Sequence, residues 1–164
     1  MTARRPTQLP RWHERAIYIG FATLVVTGLA WLALDQWVRV AGEFGSEHHP
    51  AERLALIVHG IAAYTFLLVL GALIPVHVKL GWSIGRNRSS GIVLGATMLV
   101  LAVTAVALYY VGGESLRTWS STVHWVVGLA AIAVLAIHAI RGRGGTIRRR
   151  AKSPRRRGRP KPGG

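Results

Sequence analysis

The chain has 164 residues, 51% of them hydrophobic, and a formal net charge of +15, so its apolar and basic residues must occupy separate stretches. The absence of cysteine excludes disulfides, iron–sulfur clusters and haem attached through thioether bonds, and it leaves the redox compartment unmarked. The apolar runs are too long and too free of charge for core helices of a water-soluble domain, and each suits a membrane crossing of about 20 residues.

A basic N-terminus, residues 1–15, carries Arg4, Arg5, Arg11 and Arg15, with His13 inside the polar stretch Arg11-Trp12-His13-Glu14-Arg15. The first span runs from Ala16 to Leu34. It is longer than a signal-peptide core and ends in Trp31-Leu32-Ala33-Leu34-Asp35, without a small-x-small cleavage site, which predicts a retained helix. A loop rich in titratable groups follows, with Asp35, Arg39, Glu43, Glu47, His48, His49 and Glu52. It reads as a solvated polar connection, and His48-His49 alone does not mark a metal site.

The second span, Leu54 to Val78, contains His59, Pro75 and His77, and a basic loop with Lys79, Arg86 and Arg88 succeeds it. The third, Gly91 to Val111, has no charged residue; its Gly91-Ile-Val-Leu-Gly95 is a small-xxx-small pattern suited to close helix packing. His124 and His138 lie in the fourth, Thr122 to Ile140. Residues 141–164 form an Arg-, Gly- and Pro-rich tail with no apolar pattern, which predicts disorder close to anionic lipid. Arg157-Gly158-Arg159-Pro160-Lys161 is similar to an AT-hook core, but basic tails produce such matches easily, and nucleic acid is not the expected partner.

A lone chain in lipid satisfies its backbone polar groups only as helices or a closed barrel, and no period-two alternation supports a barrel. The fold class expected is therefore all-α: an integral membrane four-helix bundle, residues 16–140. All but three of the 21 lysines and arginines (Arg39, Arg53 and Arg117) fall on one side of it. The positive-inside rule then makes both termini cytoplasmic, in a multi-pass protein of a bacterial inner membrane. Trp12, Trp31, Trp37, Trp82, Trp119, Tyr109 and Tyr110 lie near span ends, where amphipathic rings anchor at the headgroups.

Histidine within a span is costly and marks a functional site by default. With Met1 and Met98 as the only thioethers, it is also the one good ligand here for a transition metal or haem iron. From His124 to His138 an ideal helix advances about 21 Å and returns to within about 40° of the same face; from His59 to His77 it advances about 27 Å over whole turns. The second and fourth spans run in the same direction, so His59 and His124 share one membrane depth, and His77 and His138 another. Two layers of paired imidazoles are what two bis-histidine b haems require. The two separations differ by about 6 Å, a mismatch that Pro75 and helix tilt must absorb, and His13 is the alternative inner ligand. A second reading stays open: a haem-free membrane adaptor or small transporter using these histidines for helix contacts or proton relay.

The stretches Trp12-His13 to Thr27-Gly28-Leu29, Val58-His59-Gly60 and Val123-His124-Trp125 through Ile137-His138 resemble bacterial four-helix di-haem cytochromes b. That group includes the cytochrome b subunits of membrane formate dehydrogenases and nickel-iron hydrogenases, and small quinol-oxidising cytochromes b. The resemblance implies an electron-transfer subunit with two non-covalent b haems, linking the quinone pool to a partner redox protein; it implies no catalytic side chain. For the outer haem it implies His59 and His124, and for the inner haem His13 and His138. His77 departs from that pattern and is similar instead to the arrangement of quinol-cytochrome c reductase, in which two helices supply two ligands each.

Overall fold

A computed structural model of the protein describes residues 10–42, 45–85 and 87–152, the side chains of 84 and 143–152 apart. Helix α1, Arg11–Trp37, starts after Pro10 and ends where Val38 turns extended. The chain then forms a short antiparallel hairpin, β1 Arg39–Gly42 and β2 Gly45–His48, in the register Arg39↔His48 and Gly42↔Gly45. The polar loop expected here is thus partly ordered, and its Glu43 lies outside the described residues. Gly45, at φ +126°, occupies backbone space that a side chain rarely tolerates.

Helix α2, Pro50–Leu73, is nucleated by local chemistry. The Nδ1 of His49 accepts from the Ala51 N–H at 3.1 Å, Pro50 has no N–H to leave unpaired, and Glu52 sits in the first turn, where the helix dipole favours negative charge. At Pro75 the ladder cannot continue as an α-helix, and Ile74–Val78 instead form a π-turn containing His77. Helix α3, Lys79–Ile84, continues from it and stops at Gly85 (φ 70°). Asn87 (φ 57°) completes a tight turn into α4, Arg88–Tyr110. After Gly112-Gly113 comes α5, Glu114–Lys152. Where the sequence predicts a disordered tail from residue 141, α5 is helical as far as Lys152: Ile147 to Lys152 are mostly Arg, Ala and Lys, good helix formers, and extending an existing helix needs no new nucleus. Residues 153–164, with the AT-hook-like segment, lie outside the described residues, as do Arg4, Arg5 and Arg86.

The protein is thus mostly helical, with four helices long and apolar enough to cross a membrane: Arg11–Trp37, Pro50–Ser83, Arg88–Tyr110 and Glu114–Gly142. Phe66, Leu73 and Ala131 are the buried apolar residues among those described, whereas Leu68, Leu99 and Val103 are typical of many large side chains facing outward. Such a surface suits lipid, which provides no drive to hide hydrocarbon. The helices pack as two hairpins, α1 on α2 and α4 on α5, with only sparse contact between the hairpins, mainly from α1 to α5. Within the first, the Gly20 backbone seats the Phe66 ring: a Cβ at Gly20 would come within 2.9 Å of Phe66 Cδ2. Gly20→Val is expected to lower stability by about 1–3 kcal/mol through overpacking, read as a lower midpoint of thermal unfolding in detergent, while Gly95→Ala, with no atom near, is expected to change little.

Candidate functional site

The two hairpins meet at histidines, one from each side. His59 of α2 and His124 of α5 bring their ring centres to 6.2 Å with planes 76° apart. Nearer the α3–α4 turn, His77 of the π-turn and His138 of α5 do the same at 6.3 Å and 73°. Two imidazoles joined directly by an N–H···N hydrogen bond of about 2.9 Å would have centres about 5 Å apart. With a metal–nitrogen bond of about 2.0 Å on each side, two rings in line across one metal stand about 6.2 Å apart. Both pairs have the second spacing.

Three of the four rings are bonded through Nδ1 to hydroxyls. Thr27 Oγ1 donates its proton to the Thr23 carbonyl of its own helix at 2.7 Å and lies 2.9 Å from His59 Nδ1. Thr104 Oγ1 likewise donates to the Val100 carbonyl at 2.8 Å and lies 2.9 Å from His124 Nδ1. Ser90 Oγ donates to the Asn87 carbonyl at 3.2 Å and lies 3.1 Å from His138 Nδ1. A hydroxyl whose one proton is already given away can only accept. With the hydroxyl protons on the carbonyls, each Nδ1–H donates to its hydroxyl oxygen and each Nε2 keeps a lone pair, the state a metal-binding imidazole needs.

The backbone around these rings is equally specific. Gly28 leaves room for His59, since a Cβ there would approach its Cε1 to 3.3 Å, and Gly91 faces His138 Cε1, where a Cβ would lie at 3.7 Å. Asn87, held in its left-handed conformation, donates from Nδ2 to the His138 carbonyl at 3.2 Å and so ties the α3–α4 turn to α5. The π-turn carries His77 to His138 despite the unequal spacing of histidines on α2 and α5.

His13 has a different setting. It is buried at 6% exposure, stacked on Trp12, and its Nε2 lies 3.1 Å from the Val69 carbonyl, so Nε2–H donates there and holds α1 to α2. The structure thus brings His138 to His77 and turns this nitrogen of His13 away to backbone.

At the opposite end, His48, the last residue of β2, meets Arg39 of β1 and the adjoining ends of α1 and α2. Its Nδ1 lies 2.8 Å from Arg39 Nη1 and 2.8 Å from Glu52 Oε2, with Asp35 Oδ1 at 3.9 Å. Asp35, His48 and Glu52 could offer ligand atoms within 4.8 Å of one another, but the Arg39 cation already sits on the histidine nitrogen. The group closes the hairpin onto α1 and α2. His49, expected only as part of this loop, caps α2.

Thr27, Thr104 and Ser90 are the residues that sequence reasoning passes over. Their signal is weak: a hydroxyl in a span usually bonds its own helix, as Thr23, Thr65 and Thr97 do here, and only the three-dimensional pairing separates the two uses. Comparison of the chain with protein-family models, with curated proteins and with solved structures gives no match.

Proposed function

We propose that this protein is a membrane electron carrier of the cytochrome b type, holding one b haem between His59 and His124 and a second between His77 and His138. The observation that carries the reading is the repeated ring spacing of 6.2 and 6.3 Å across the hairpins, with three of the rings hydrogen-bonded through Nδ1 to hydroxyls, which leaves Nε2 for a metal. Two imidazoles alone leave a metal short of ligands. Among the described residues the one cluster of three or more His, Cys, Asp or Glu is Asp35, His48 and Glu52, which includes none of these four histidines. A metal that brings its own four equatorial nitrogens meets that deficit, and such a metal is the iron of a porphyrin. The flat ring would enter between two helix pairs that touch each other sparsely.

Bound haem supplies a one-electron iron couple. The protein's part is to orient three of the four imidazoles through Thr27, Thr104 and Ser90, to exclude water, and to space the two layers, His124 and His138 being about 21 Å apart along α5. By the positive-inside rule the β-hairpin end faces the periplasm and the basic ends the cytoplasm of a bacterial inner membrane. Electrons then pass between the quinone pool and a partner redox protein. A direct proton relay between paired imidazoles is disfavoured because ring centres at these distances are too far apart for a bond between them, and the helix contacts that His59, His124 and His138 make with hydroxyls lie within each hairpin and leave the matched spacing across the hairpins without a use. The test is a dithionite-reduced minus oxidised spectrum of protein purified from cells supplied with haem. A b-type band with two haems per chain is expected, and a colourless protein overturns the proposal.

A further inference from the structure

We propose that Trp31 is a hydrogen-bond donor to a propionate carboxylate of the haem held between His59 and His124, with Arg117 supplying the compensating positive charge. This rests on the haem reading above and adds to it the direction in which that haem's acidic edge points, toward the β-hairpin.

The starting observation is an anomaly among the tryptophans. Trp12, Trp37 and Trp119 are exposed at 66%, 78% and 67%, as interfacial anchors should be. Trp31 is turned inward, and its Nε1 is the one buried side-chain nitrogen or oxygen among the described residues with no hydrogen-bond partner. Buried indole N–H groups nearly always find an acceptor. Trp31 lies one turn beyond Thr27 and Gly28 on the same stripe of α1, about 5 Å nearer the hairpin. Thr27 is the hydroxyl that holds His59, and Gly28 is the residue against its ring. The unsatisfied donor therefore stands at the hairpin-side edge of the His59–His124 layer.

Two of the chain's own carboxylates at that end are engaged elsewhere. Glu52 is bonded to His48, and Asp35 accepts from Gln36 Nε2 at 2.7 Å. On the other helix pair, Arg117 lies seven residues before His124, two turns toward the hairpin on nearly the same face of α5. Its side chain is exposed and, among the described residues, makes no hydrogen bond or ion pair. A b haem has two propionates on one edge. With that edge directed toward the hairpin, an N–H donor from α1 and a guanidinium from α5 would each be offered to it, and hydrogen bonds to a charged carboxylate are among the stronger kinds.

Haem-free protein titrated with protohaem and with its dimethyl ester provides the test, the two layers being distinguished by carrying it out in a His77→Ala background that keeps only the His59–His124 site. Trp31→Phe and Arg117→Gln are each expected to weaken protohaem binding about threefold to tenfold, and to change binding of the uncharged diester by less than about twofold. Equal protohaem affinity in both variants and the parent overturns the inference while leaving the cytochrome reading intact. Equal losses with acid and ester also overturn it, since that outcome means packing and not recognition of a carboxylate. A parent protein that takes up no haem overturns both, and is seen before any comparison of variants.

Discussion

Alanine at His77 is expected to remove one of two haems, and alanine at His13 to remove neither. His138 stands opposite His77 at 6.3 Å, whereas His13 gives its Nε2–H to the Val69 carbonyl. Loss of the His77 imidazole takes away one of the two side chains that would hold the second haem, so the haem-to-protein ratio by pyridine haemochrome is expected to fall from two to about one, and a redox titration to show a single step. Loss of the buried His13 ring removes the bond that ties α1 to the Val69 carbonyl and leaves a gap in its place, at a cost of about 1–3 kcal/mol of stability, with both steps of the titration kept. His59→Ala and His124→Ala are each expected to remove the other haem. The reverse pattern, haem lost at His13 and kept at His77, would sink the ligand assignment and restore the one that the resemblance to di-haem cytochromes b implies.

Deleting a hydroxyl next to a ligand is expected to loosen haem in one layer only. Thr27→Val and Thr104→Val keep the shape of the side chain and remove the oxygen that accepts from His59 and His124 Nδ1–H. The imidazole loses its hydroxyl partner and is less firmly oriented, and losing such a supporting partner typically lowers metal affinity about 10–100-fold. Faster transfer of one haem to an excess apo-globin acceptor measures it, with the second haem released at the parent rate. Ser90→Ala is expected to act in the same way on the other layer. Thr27→Ser, which retains the acceptor, is the control: if it loosens haem as much as valine does, packing and not the hydrogen bond is responsible.

The four helices were legible because the apolar runs are long and nearly uncharged, and nothing in lipid competes with a helix for their backbone groups. Their ends were less so: capping by His49 and the turn through Gly85 and Asn87 extend helices past the apolar segments by means hydropathy does not register. The β-hairpin escaped notice because its register depends on Gly42, Gly45 and a cluster of charged side chains, with no alternating apolar pattern. For the site, periodicity placed His59 and His124, and His77 and His138, on matched faces. It could not choose between His77 and His13, since that depends on a π-turn around Pro75 and on a single bond to Val69. The supporting hydroxyls and the inward-turned Trp31 were illegible for a general reason: a threonine or tryptophan in a span has an ordinary use, and only contacts between distant segments reveal a special one.

Each helix pair contributes a single ring to either layer, so neither half of the chain can grip a cofactor by itself, and the halves have little else to hold them together. Under the cytochrome reading the porphyrins act as rivets, and their binding energy is also assembly energy. A cell starved of iron would then accumulate loosely joined halves in its membrane, open to proteases, and the abundance of the protein would follow the supply of pigment.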